Sequence, residues 1–257
     1  MLTSASRRLG GRLARHLDRP LRNYEPLAVS NLARLAEVLQ PADVLLVEGN
    51  RRISTAIKYL TQSTWSHAAL CVGELSGRGL GAPALIEAHL RHGVRAVALT
   101  EFEGLNSRVC RPVGLDDAER EQICRFAIDR IGFDYDLKHI FDLARYLLPV
   151  PPVPVSWRRR MLALGSGAPT RAICSTLIAQ AFQSVRYPIL PRVEVREEEP
   201  AQVSAGAREV MHIRHHSLFT PRDFDLSPYF LVIKPEVERG FDHRALRWRD
   251  VHDQGES

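Results

Sequence analysis

Three side chains in this sequence have the types needed for nucleophilic acyl chemistry. Cys174 stands at the start of an amphipathic run, "CSTLIAQAFQSV", just after the short polar stretch "APTR". A thiol attacks a carbonyl only as thiolate. The first turn of a helix favours that form through unpaired N–H groups and a partial positive charge. Arg171 adds positive potential, and the same N–H groups suit the oxyanion of an acyl-transfer intermediate. His67 stands where the chain turns apolar, in "STWSHAALCVG". Glu87 lies between Ile86 and Ala88, where a carboxylate is costly to bury without a partner. A thiol, an imidazole and a carboxylate that orients the imidazole would together make a nucleophile, a base and its support. Taken singly, each residue also fits a plainer role: Cys174 as a packed helix residue, His67 as a hydrogen-bonded strand end, Glu87 as one of two candidates beside His89.

Elements must bring these groups together, and the sequence outlines most of them. "ADVLLVEG", "HAALCVG", "ALIEAHL", "GVRAVAL", "SRVCRPV" and "YFLVIK" read as strands. On the second of these, His67, Ala69 and Cys71 share one face. If the second and third strands are antiparallel neighbours, Glu87 reaches one imidazole nitrogen and the other faces the thiol. Helices are predicted after Ser30 or Asn31, over "ISTAIKYLTQ", over "DDAEREQICRFAIDRIG" with the capping pair Asp116 and Glu119, over "LKHIFDLARYLL", and from Cys174 onward. "PVPPVPVSWRRR" reads as an irregular excursion. Strands joined by short turns, with helices before and after, imply an antiparallel sheet packed against helices, an α+β domain.

Composition limits the classes available. The chain has 257 residues, 45% of them apolar and 25% charged, enough for a sizeable core. No apolar run approaches a membrane span, and the N-terminus lacks a secretory apolar core. A cytoplasmic location is expected, with peripheral contact at the inner membrane surface as the sharper possibility. Of the net charge of +5, a balance of +4 falls in residues 1–25, where six arginines oppose Asp18 and Glu25. The body is thus nearly neutral, and nucleic-acid binding is not expected. Leu9, Leu13, Leu17 and Leu21 recur every four residues among those arginines. This pattern fits a basic amphipathic helix that packs on the domain, lies on a membrane surface, or serves as a transit peptide. The four cysteines form no C-x-x-C pair and no zinc-like spacing, so no metal or other cofactor is expected. Cys71, Cys110 and Cys124 sit among apolar residues and read as inert buried thiols. The divisions are a basic helical extension over 1–40, a catalytic domain over 41–237 and a polar tail over 238–257.

The order of these motifs resembles the circularly permuted papain-like fold of the YiiX-like branch of the NlpC-type cysteine hydrolases. The matching stretches are "ADVLLVEG", "TQSTWSHAALCVG", "LIEAHLRHGV", "GFDYD", "CSTLIAQAF" and "FTPRDFDLSPYF", spanning about 41–234 with the histidine before the cysteine. The resemblance implies Cys174 as nucleophile, His67 as base and Glu87 as orienting residue, with His89 competing for the third role or contacting substrate. It places Tyr135 in the "YD" element, as a cleft residue or a plain core or surface tyrosine. It implies a hydrolase of amide or ester bonds in a peptide- or lipid-like substrate. The alternatives are lipid acyl transfer and a non-catalytic peptide- or lipid-binding module. Two departures stand out: Ala42 where the family usually has glycine, and the long insert before Cys174.

Overall fold

The computed structural model describes residues 15–21, 24–26, 28–89, 91–133, 173–196, 208–238, 240 and 242–245. Tyr135, the predicted helix over "LKHIFDLARYLL" and the Pro-rich excursion lie outside the described residues.

Six antiparallel strands form the central sheet: β1 (Val44–Val47), β2 (His67–Gly73), β3 (Ala84–His89), β4 (Gly93–Ala98), β5 (Ser107–Pro112) and β8 (Phe230–Ile233). Their order is β4-β3-β2-β1-β5-β8. The short link from β4 to β5 therefore is not a hairpin. It carries a 3-10 turn, Leu99–Phe102, beneath the sheet, and β5 pairs with β1 instead. Leu99, read from sequence as the end of the fourth strand, and Phe102 are buried, and their burial drives this crossing. A separate two-stranded ribbon, β6 (Arg192–Arg196) with β7 (Arg208–His212), was not evident in the sequence.

Alternation along the strands divides the core in two. On one face Ala68, Leu70, Val72 and Ile86 pack against α3 (Asp117–Ile128) and α4 (Ile173–Ser184), through Ile123, Ala127, Leu177, Ile178 and Phe182. On the other face Leu45, Val47, Ala69, Cys71 and Leu85 pack against Leu35 and Leu39 and the buried link residues. Leu35 belongs to α1 (Leu32–Val38), which is capped by Asn31. The predicted capping pair is present on α3: Asp116 accepts from the Glu119 amide at 2.8 Å and Glu119 accepts from the Asp116 amide at 3.1 Å. The sheet lies between two layers, helices on one side and α1 with the 3-10 link on the other.

Two local features fix the lower end of β1. Asp43 is fully buried and takes the Arg111 guanidinium at 2.8–3.3 Å, with the Gln40 amide at 2.9 Å. Burial raises its pKa against the pull of Arg111. Ala42 has φ of 70°, in the left-handed region where glycine is usual.

The leucine stripe does not continue as one helix. Residues 15–17 are helical, the chain turns at Asp18 and Arg19, and Pro20 bridges to Arg51. Proline lacks the N–H that a continuing helix needs. Leu9 and Leu13 lie outside the described residues; of the other two, Leu17 is buried on the body and Leu21 is exposed. No helix among the described residues is long and apolar enough to cross a membrane.

Candidate active site

His67 is the first residue of β2, where the sheet ends and side chains from both layers can meet. Its backbone is fixed by pairing with Val47 on β1. The preceding Ser66 is buried, and its Oγ accepts the Gly49 amide at 2.9 Å. The His67 Nε2 lies 2.6 Å from Glu87 Oε2, and the ring stands 6.2 Å from that of Phe102, centroid to centroid. The His67 side chain keeps 24% of its surface exposed, which leaves an approach for a ligand, whereas the Glu87 side chain keeps only 4%.

Burying Glu87 demands compensation, and two partners supply it. Arg95 Nε and an Nη donate to Glu87 Oε1 at 2.7 and 2.6 Å. Glu87 and Arg95 are direct cross-strand partners on β3 and β4. Burial alone would raise the Glu87 pKa, but His67 and Arg95 outweigh it and bring the carboxyl down to about 2. Arg95 was not singled out from sequence. Its signal was a cation two residues into a strand whose antiparallel partner carries a buried carboxylate.

Cys174 is buried in the first turn of α4. Its neighbour Ser175 is fully buried, and Ser175 Oγ donates to the Phe219 carbonyl at 2.8 Å, which pins this turn to the segment before α5 (Pro221–Leu226). The Cys174 sulfur and Glu87 both act electrostatically on the His67 ring. Desolvation of the ring opposes its charge. The Cys174 sulfur and the Glu87 carboxylate overcome that, and the His67 pKa rises to about 10. His67, Glu87 and Arg95 thus form one hydrogen-bonded line, and the Cys174 sulfur acts on the His67 end of it.

His89 lies elsewhere. Its Nε2 is 3.5 Å from Asp18 of the N-terminal segment, and its Nδ1 accepts the Arg91 amide at 3.1 Å. Burial is the main influence on it, with Asp18 opposing, and its pKa falls to about 4. The other cysteines are separate from the site. Burial pushes Cys71 and Cys110 up to about 12 and Cys124 up to about 11.

Beside the start of β2, on the β5 side, a polar pocket of about 520 Å³ is lined by residues including Glu48, Lys58, Trp65, Arg108 and Asp225. Trp65 Nε1 donates to Asp225 at 3.0 Å, Arg108 pairs with the same carboxylate at 2.5 Å, and Arg108 lies over the Trp65 ring. The "TWSH" and "TPRDFD" stretches are joined here, since Asp225 belongs to α5, whose first turn is closed by Thr220 and Asp223. Among the described residues, no group of three or more His, Cys, Asp or Glu side chains is placed to hold a metal ion.

No protein-family model matches the chain, and no curated protein matches it. A solved structure with a similar course is the metalloprotein yiiX of Escherichia coli O157:H7, DUF1105. It is 16% identical over 76% of this chain and 96% of that chain, with a TM-score of 0.46.

Proposed function

We propose that this protein is a thiol hydrolase of the permuted papain-like type, cleaving an amide or ester bond through a Cys174 acyl-enzyme. The observation that carries this reading is the single ring, His67, hydrogen-bonded to the Glu87 carboxylate, with its charged form favoured by the Cys174 sulfur and that carboxylate against desolvation. The permutation is read from chain order: the base on β2 precedes the nucleophile on α4.

With Nε2 committed to Glu87, Nδ1 is the nitrogen left to take the Cys174 proton. The resulting thiolate–imidazolium pair is favoured because Glu87 stays ionised beside the ring. The thiolate attacks the substrate carbonyl, and the partial positive charge at the start of α4 suits the oxyanion. His67 returns its proton to the departing amine or alcohol, leaving a thioester on Cys174. Water then attacks the thioester, giving its proton to His67, and the thiolate leaves to restore the ion pair. Atoms balance as acid plus amine or alcohol, with no added reagent.

The test is a competition among four thiols. Substoichiometric iodoacetamide at neutral pH is expected to modify Cys174 first, with the adduct mapped by mass spectrometry. Cys71, Cys110 and Cys124, raised by burial, are expected to stay unlabelled in the folded chain. His67→Ala is expected to slow Cys174 alkylation by about tenfold or more, since thiolate content follows the neighbouring cation. Labelling spread evenly over the cysteines, or unchanged in His67→Ala, would remove the nucleophile assignment.

A further inference from the structure

A second concentration of chemistry lies at the same end of the sheet as His67. A pocket of about 640 Å³ is lined by Arg15, Arg19, Arg51 and Arg91, with His16, Pro20 and Asp18. Four guanidinium groups thus face one carboxylate. Asp18 is buried and gathers the cluster: Arg51 donates to its side chain at 2.7 Å and to its carbonyl at 2.9 Å, and Arg91 lies 3.5 Å away. The other two, Arg15 and Arg19, are exposed and have no ion-pair partner among the described residues. The positive charge in the pocket therefore exceeds what the described residues neutralise.

The backbone adds to it. The ten-residue helix α2 (Arg52–Thr61) begins at this pocket with Arg51 as its N-cap, and no side chain caps it. Its first amide, of Arg52, donates to the Arg19 carbonyl at 3.1 Å, and its macrodipole adds partial positive charge at this end. Register fixes the position relative to the candidate active site. Arg51 follows β1, whose last residue Val47 pairs with His67; Arg91 follows β3, which carries Glu87. Asp18 also contacts His89, two residues from Glu87.

We infer that this arginine pocket binds a phosphate group, and that the substrate of the hydrolase carries that phosphate beside the ester or amide it presents to Cys174. Guanidinium groups arriving from three separate stretches of chain suit a tetrahedral anion with oxygens on every side better than a flat carboxylate. That the phosphate belongs to the substrate rests on the hydrolase reading; the binding itself does not.

The experiment separates the two. Inorganic phosphate, and a water-soluble dibutyryl phosphatidic acid, are titrated calorimetrically at low ionic strength into the wild-type chain, Cys174→Ala and the double variant Arg15→Gln/Arg19→Gln. Wild type and Cys174→Ala are expected to bind alike, which measures the pocket in a chain with no thiol chemistry. The double variant is expected to bind about tenfold weaker or worse, from the loss of two charge-assisted contacts. Both replaced side chains are exposed and have no ion-pair partner among the described residues, so circular dichroism and melting are expected to be unchanged. Tighter binding of the acylated phosphate identifies a lipid-type headgroup, and equal binding identifies a free phosphate; each supports the site. Undiminished binding in the folded double variant, or no binding of either ligand to wild type, overturns it.

Discussion

The pairing of Glu87 with His67 and Arg95 makes definite demands on pH. Glu87 is lowered to about 2, so its stabilising contribution is complete above the ordinary carboxyl range and fades as pH falls toward 2. His67 is raised to about 10, so its contribution is complete below the ordinary imidazole pKa of about 6.5 and is lost as pH rises through about 10. The expected stability profile therefore declines on the alkaline side from about pH 7 upward. Glu87→Gln keeps the shape and removes the charge. It is expected to flatten that alkaline decline in urea titrations and to move the alkaline limb of hydrolysis to lower pH. Loss of the orienting carboxylate is also expected to reduce kcat by about 10²-fold or more. Arg95→Gln, which touches no reacting atom, should show a weaker version of the same pH shift; an unaltered profile would make Arg95 a merely structural residue.

At the scale of elements, the site depends on how α4 and the β1–β2 junction are held. Phe182 of α4 is fully buried against Phe224 and Phe230, with ring centroids 6.4 and 5.2 Å away. Phe182→Ala is expected to cost about 3–5 kcal/mol in urea unfolding, and to lower activity because the same helix carries Cys174. Gly49 is a close approach of backbone to side chain. A Cβ there would stand 2.4 Å from Ser54 Oγ and 3.0 Å from Ser66 Oγ. Gly49→Ala is expected to destabilise by about 1–3 kcal/mol and to disturb His67 through Ser66. Adding Ser54→Ala removes the nearest atom, so it should recover part of both losses, and no recovery would place the strain elsewhere.

For the molecule as a whole, the N-terminal segment is joined to the body by Leu17 and Asp18. Leu17 is buried, and Asp18 ties Arg51, His89 and Arg91. Removing residues 1–20 is expected to lower stability by about 1.5–3 kcal/mol for the lost leucine alone. It also takes from Arg51 and Arg91 the carboxylate they share, so the loss should grow at low salt. Thermal melting at two ionic strengths checks both parts. A truncated chain as stable as the full one would make the segment a separate appendage.

Local patterns legible in the sequence determined most of the strands, the α3 capping pair and the chemical types at the site. Strand alternation and cap residues are encoded within a few positions of where they act. The facing of Glu87 toward His67 needed only one further condition, that β2 and β3 be antiparallel neighbours, and the structure meets it. Other features were decided by contacts between distant stretches. Register alone set Arg95 against Glu87, the buried Leu99 and Phe102 sent β5 to the far side of β1, and Leu17, Asp18 and Pro20 dock the chain around them onto the body. The arginine pocket has the same origin. Arg15, Arg19, Arg51 and Arg91 show no common spacing, and only the meeting of the N-terminal segment with the ends of β1 and β3 concentrates their charge.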